Sequence, residues 1–231
     1  MTFVIENATE YAKWFDAAPS SERWAALSKE YAELATWVEI VEEFPRCQIA
    51  VAQNATVPLE ILDRLRSARD FKVQWKVRTQ QRWRDAHPDD PGPFDFDLDE
   101  LIHYDLSSTE RKVLRHGLVE WGGPAHCTEE LAVAMGFASI ADLFAQTNRI
   151  IVALKNSQPM RHIDWVRTML ATEIVFMSGT VGAAGDWETV TGIPDLETFR
   201  IIRGLQSHLV VNPLIGKAFG TRFKKREGGL S

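Results

Sequence analysis

What the chain has little of sets the first limits. Only two cysteines occur in 231 residues, Cys47 and Cys127, far apart and in no metal-ligand spacing. A disulfide framework is thereby excluded, and two buried thiols in a reducing compartment are expected. No apolar run approaches the roughly 20 residues needed to span a bilayer, so no membrane is expected among its partners. The opening stretch, Met1-Thr2-Phe3-Val4-Ile5-Glu6-Asn7, lacks a basic n-region and soon meets a carboxylate, which predicts no signal peptide and a cytoplasmic location. Positive charge is outweighed, 26 basic residues against 32 acidic ones leaving a net charge of −6.

What is there describes an ordinary globular chain. The hydrophobic fraction is 45% and the charged fraction 25%, so disorder is not the default. The length suits one large domain or two small ones, with a core large enough to need no staples. The charge is unevenly spread: residues 1–50 carry a net −5, residues 51–86 a net +4, residues 87–105 a net −7, and the remainder a net +2. Acidic blocks beside a mildly basic body argue against general nucleic-acid affinity, which needs an outward-facing positive field.

Helical periodicity begins early. Asn7-Ala8-Thr9-Glu10 has capping-box spacing, followed by Tyr11, Trp14 and Phe15 at helical intervals. Ser20 or Ser21 is read as the cap of a second helix, with Trp24, Leu27, Tyr31, Leu34 and Val38 on one stripe. Pro45 must end the helix that includes Ile40, Val41 and Phe44, because proline clashes with the preceding turn. Beyond it runs Val51-Ala52-Gln53-Asn54-Ala55-Thr56-Val57-Pro58, with Thr56 read as a cap and Pro58 as a first-turn residue. The helix that follows carries Ile61, Leu62 and Leu65. A partial echo then appears at an offset of 26 residues: Gln48 matches Gln74, and Val51 matches Val77. Short repeats of this kind signal stacked helical units sharing one core.

This block resembles the leucine-rich repeat variant family. The family's pattern is met by Val51, Ala52, Asn54, Thr56, Pro58, Leu62 and Leu65, and more loosely by Asp70 and Val73, with Gln74 in place of an arginine. The resemblance implies α-helices alternating with 3-10 helices, over about one and a half repeats. The cysteine cluster of some members is absent, so no iron–sulfur role carries over.

His87-Pro88-Asp89-Asp90-Pro91-Gly92-Pro93 then breaks all periodicity and reads as a linker. Phe94 to Glu100 alternates apolar and acidic residues with period two, which predicts an extended segment with one sticky and one charged face. From Ser107 the pattern is helical again. Ser108 is read as the cap of a helix striped by Val113, Leu114, Leu118 and Trp121. Thr128 opens a short helix closed by Gly136, and Ser139 a longer one through Leu143, Phe144, Ile150, Ile151 and Leu154. Residues 161–178 read as the central helix of this half, with Ile163, Val166, Leu170, Ile174 and Met177 in register. A glycine-rich loop over 179–192 carries Trp187. Asp195 caps a last helix through Phe199, Ile202, Leu205 and Leu209, before a basic tail with Lys217, Arg222, Lys224, Lys225 and Arg226. The expected fold is therefore all-α: a short α/3-10 helical-repeat module (1–86), an acidic Pro-rich linker (87–106), and a compact domain of four to five helices (107–231).

Recognised chemistry is sparse. Gly179-Thr180-Val181-Gly182-Ala183-Ala184-Gly185 has the wrong spacing for a dinucleotide fingerprint and no P-loop lysine, so a helix–helix connection is expected. His126 stands beside Cys127 with no second pair at zinc spacing, and only folding would gather His103, His116 and His126. Neither a metal nor a small-molecule cofactor is expected. Glu173 sits on the apolar stripe of the 161–178 helix. It reads as an ion pair with Arg149, Arg200 or Arg203, or alternatively as a buried general acid or base of a hydrolase-like enzyme. The basic stretch 64–84, with Trp75 and Trp83, is a candidate RNA-binding face. Charge pairing with the acidic segment that follows is the plainer expectation.

Two features remain for binding a protein partner. Asp95, Asp97, Asp99 and Glu100 form a row of carboxylates that mimics phosphates, although the same segment also reads as Phe94, Phe96 and Leu98 buried with the acids left wet. Trp187, on its loop, is read as an interface anchor. The run Trp121-Gly122-Gly123-Pro124, with Glu129-Glu130-Leu131-Ala132 and Ala171–Phe176, is similar to small bacterial helical proteins of toxin–immunity loci. The resemblance implies a non-catalytic immunity protein that covers the active site of a cognate toxin.

Overall fold

The computed structural model describes residues 4–17, 30–95, 97–209 and 216. Its described residues form α-helices with four two-residue strands, and the fold is all-α. The expected second helix with Trp24 and Leu27, its caps Ser20 and Ser21, Phe96 and the basic tail lie outside the described residues.

The chain divides into two units, 1–95 and 96–231. In the first, β1 (Val4–Ile5) leads into α1 (Ala8–Ala17), which begins where Asn7 Oδ1 accepts the backbone N–H groups of Thr9 and Glu10. Tyr31, expected on a helical stripe, instead opens β2 (Tyr31–Ala32), paired parallel with β1. Alternation explains it: Ala32 is buried while Tyr31 is exposed, the period-two pattern of a strand. Then come α2 (Leu34–Glu43), a 3-10 turn at Pro45–Cys47, α3 (Gln48–Val51), α4 (Leu59–Arg66), α5 (Phe71–Thr79) and α6 (Gln81–Ala86). Tyr11, Trp37, Ile40, Val51, Ile61, Leu62, Leu65, Val77 and Trp83 build the core.

The 26-residue echo has a physical counterpart. Gln48 Nε2 donates to Val41 O at 2.9 Å, and Gln74 Nε2 donates to Ala68 O at 2.8 Å. Each glutamine thus ties its helix to the segment before it, and Val51 and Val77 are both buried. Thr56 does not cap α4, whose N-cap is Pro58. Its hydroxyl meets Glu30 O, and the wholly buried Asn54 donates to the same carbonyl at 3.1 Å while accepting from Thr56 N at 2.7 Å. Asn54 and Thr56 therefore clamp the chain at Glu30.

The expected linker is shared between the units. Asp90 is held by Arg66 at 3.0 Å and Arg78 at 3.1 Å, and Trp75 Nε1 donates to Pro93 O. In the second unit, β3 (Leu101–Ile102) pairs antiparallel with β4 (Met160–Arg161), and Tyr104 and Leu106 are buried.

The second unit holds six α-helices among its described residues, more than the four or five expected because a short helix forms within the 179–192 segment read as a loop. They are α7 (Ser108–Val119), α8 (Glu129–Ala134), α9 (Ile140–Lys155), α10 (His162–Met177), α11 (Trp187–Thr191) and α12 (Asp195–His208). The cap of α7 is Ser107 in a capping box with Glu110, one residue before the serine expected. Thr128 and Ser139 cap α8 and α9 as expected. The hub is α7, against which α9, α10 and α12 all pack. Gly117 permits the closest approach: a Cβ there would lie 2.3 Å from Thr172 Oγ1 and 2.6 Å from Thr172 Cα on α10.

That crossing shows why the stripe expected on α10 is misplaced. Val166 is buried, but Met177 is 63% exposed and Ile163, Leu170 and Ile174 are half-buried. The buried face includes Asp164, Thr168 and Thr172, four residues apart and wholly covered. Thr168 Oγ1 donates to Asp164 O at 2.7 Å and Thr172 Oγ1 to Thr168 O at 2.8 Å. Hydroxyls satisfied on their own helix enter the core at little cost.

Candidate functional site

The N-terminus of α10 gathers most of the second unit's polar chemistry. Arg161, at its N-cap, provides no side-chain cap. The orphan N–H groups are met by the loop before β3 instead: His162 N–H donates to Glu100 O at 3.2 Å and Ile163 N–H to Leu98 O at 3.1 Å. The buried His162 ring adds a bond from Nδ1 to Asp97 O at 2.8 Å.

This docking bends 97–100 away from the extended segment expected over 94–100. Asp97 Oδ1 accepts Asp99 N–H at 3.0 Å, and Glu100 N–H donates to Asp97 O at 3.3 Å, which bends the chain into a turn. Another turn closes from Asp95 N–H to Gly92 O. Phe94 is 66% exposed and Leu98 half-buried, so neither is covered as expected, and Phe96 lies outside the described residues. Asp95, Asp97, Asp99 and Glu100 are all exposed. Asp95 belongs to the first unit and the other three to the second.

Beneath the loop lies a cluster that is absent from the sequence expectations. Asp164 is wholly buried and takes three guanidinium groups. Arg149 from α9 approaches at 2.7 Å, Arg161 binds with two nitrogens at 3.0 and 3.1 Å, and Arg167 stands at 3.6 Å. The Asp164 hydrogen bond raises Arg161 above its ordinary value, whereas burial draws Arg167 down despite that neighbour. Arg167 also donates to Gly136 O at 2.8 Å and lies over the Phe137 ring. Arg161 reaches outward to Asp99 at 3.4 Å and so ties the loop to the cluster. The signal was present: Arg161, Asp164 and Arg167 follow one another at i, i+3 spacing, which puts acid and bases on neighbouring turns.

Trp187 is not the interface anchor expected. It is the first residue of α11, not a loop residue, and is 0% exposed. Its Nε1 donates to Thr198 Oγ1 at 2.9 Å and its ring meets Phe176 edge-on at 5.4 Å. An indole so enclosed anchors the core and has no surface to offer a partner.

Glu173 is half-buried and accepts Gln206 Nε2 at 3.0 Å, in place of the arginine pair expected, since Arg149 is drawn to Asp164. The glycine-rich segment folds back on the end of α10. Ala183 N–H donates to Val175 O, and a Cβ on Gly182 would lie 2.4 Å from that same oxygen. Among the described residues no three His, Cys, Asp or Glu side chains gather to hold a metal, so His103, His116 and His126 stay apart. Cys47 is buried, whereas Cys127 is only half-buried.

On the basic stretch, Arg78 is buried and Arg66, Lys72, Lys76, Arg82 and Arg84 are half-buried. Arg64 pairs with Glu42 at 2.7 Å, and Arg82 donates to Asn54 O at 3.3 Å. Trp83 is 2% exposed, its Nε1 bonded to Asp63. Of the seven carboxylates in the acidic segment, Asp90 is the one that the arginines Arg66 and Arg78 share. No helix among the described residues is long and apolar enough to cross a membrane. No protein-family model, curated protein or solved structure matches the chain.

Proposed function

We propose that the protein is a non-catalytic binder of another protein, of the immunity type, which covers a basic active site on a cognate bacterial toxin. The observation that carries this reading is the 97–100 loop. Its backbone is committed to the N-terminus of α10, while the carboxylates of Asp97, Asp99 and Glu100 face solvent. A rigidly backed carboxylate array resembles a short run of phosphates, and charge arrays of this kind speed encounter and select the partner. A nuclease or nucleotide-modifying enzyme, whose cleft must be cationic to hold phosphates, is the partner class that fits. The repeat resemblance of the first unit belongs to the same proposal, supported by the matched Gln48 and Gln74 anchors. So does a cytoplasmic setting, where such inhibitors meet their targets.

The other readings find less support. A hydrolase built on Glu173 needs that carboxylate free to act, and it is engaged by Gln206. An RNA adaptor built on 64–84 needs exposed stacking rings and outward cations, but Trp83 is covered and its neighbouring arginines are largely turned to internal partners. The test is co-expression with the protein encoded beside it. Protection of the host and a co-purifying stoichiometric complex are expected. Absence of both overturns the proposal.

A further inference from the structure

In the first unit a cavity of about 260 Å³ opens where β1 runs into α1. Its walls are Val4, Ile5, Glu6, Asn7, Glu10, Tyr11, Trp14 and Glu30. Three of these carry carboxylates, two carry large aromatic rings, and none is basic. The rings of Tyr11 and Trp14 lie 6.1 Å apart, tilted by 37°.

Two buried polar atoms in this wall lack, among the described residues, what buried polar atoms normally have. Tyr11 is 4% exposed and Glu30 9%, yet neither Tyr11 Oη nor Glu30 Oε2 has a hydrogen-bond partner among the described residues. Burial raises the Glu30 carboxyl above its ordinary 4.5 and the Tyr11 phenol above its ordinary range. Groups held this way cost stability unless something arrives to satisfy them. Their placement is fixed from behind, since Asn54 and Thr56 clamp the carbonyl of Glu30 and the strand pairing of β1 with β2 begins one residue later.

We propose that this cavity is a binding site for a cationic group on an alkyl stem, an ammonium or guanidinium, seated against Glu30 and Tyr11 and flanked by Trp14, Glu6 and Glu10. Aromatic rings attract a cation through their quadrupoles, and the buried carboxylate supplies the counter-charge and an acceptor. The volume lies just below the range of drug-sized pockets, so it admits a single side chain or a small amine and not a nucleotide. A free alkylamine and a lysine side chain share this chemistry. The site lies in the other unit from the 97–100 loop and does not depend on it, so either proposal can fail alone.

The experiment uses the full chain and isothermal titration with n-butylammonium and with N-acetyl-lysine methylamide. The neutral controls are 1-butanol and the Nε-acetylated lysine derivative. Both cations are expected to bind and both controls to fail, with Glu30→Gln weakening binding by about tenfold or more, as for loss of a charged hydrogen bond. Tighter binding of the lysine derivative assigns the site to a partner's side chain, and tighter binding of butylammonium to a free amine. Circular dichroism checks that Glu30→Gln folds. Should it not, Glu10→Gln on the exposed rim replaces it, with a smaller loss of affinity expected. Failure of both cations to bind, equal binding of the neutral controls, or unchanged affinity in the folded variant overturns the proposal.

Discussion

Replacing Asp164 by asparagine keeps the shape of the side chain and removes the charge that three arginines share. The carboxylate is wholly buried, with Arg149 at 2.7 Å, Arg161 at 3.0 Å and Arg167 at 3.6 Å. Breaking a buried pair by removing one partner typically costs about 3–5 kcal/mol, because the remaining charge stays uncompensated. The three arginines do not suffer equally. The side chains of Arg149 and Arg161 are 45% and 32% exposed and can turn to water, where an ion pair is worth about 0–1 kcal/mol. Arg167, at 15%, is pinned by Gly136 O and cannot turn away. The lower end of the range follows, about 3 kcal/mol for Asp164→Asn. Urea unfolding followed by circular dichroism measures it, with the loss expected to persist in high salt because the pair is shielded from solvent. A loss below about 1 kcal/mol would refute the reasoning, since it would mean that the guanidinium groups find equal partners without the carboxylate.

Three further outcomes follow from the fold. Asn54→Ala removes both the bond to Glu30 O and the acceptor for Thr56 N–H, so a loss of about 2–3 kcal/mol in urea unfolding is expected; a neutral result would show that Asn54 is no clamp. Gly117→Ala raises helix propensity by about 1 kcal/mol, yet its Cβ would meet Thr172 backbone at 2.6 Å; net destabilisation by about 1–3 kcal/mol is expected in thermal melts, and a stabilised variant would contradict the α7–α10 packing. Glu120 is buried, and burial first, then Asp186, raises its carboxyl above 4.5. A raised carboxyl favours the fold below the unfolded value and loses that contribution as pH climbs through the folded one. Glu120→Gln should therefore gain stability over the parent as pH rises from 4.5 towards neutrality, and a pH-independent difference in melting temperature would count against this.

Much of the helical framework is legible because its signals are local. The caps at Asn7, Thr128 and Ser139, the break at Pro45 and the stripe of Val113, Leu114, Leu118 and Trp121 each depend on residues within two turns of one another. The buried face of α10 is hidden in the sequence because Asp164, Thr168 and Thr172 look like solvent residues in a one-dimensional pattern. Their burial depends on Gly117 and on arginines up to fifteen positions away. Trp187 reads as a surface anchor in the sequence because Thr198 and Phe176, which enclose it, are not its sequence neighbours. The acidic loop was legible in composition and not in shape: its exposed carboxylates were expected, whereas the turn made by Asp97 and the docking on α10 need a helix N-terminus that lies more than sixty residues onward. The 26-residue echo sets two glutamines that each reach back to an upstream carbonyl, Gln48 to Val41 O and Gln74 to Ala68 O.

The association rate of the isolated complex, measured by stopped flow over a range of ionic strengths, tests the proposed function most directly. The comparison is between the parent chain and one carrying Asp97→Asn, Asp99→Asn and Glu100→Gln, with the protein encoded beside it as partner. A steering carboxylate loop predicts association slowed by about tenfold or more at low salt in the variant, with a flattened salt dependence and a folded chain. Equal rates at every ionic strength would contradict it.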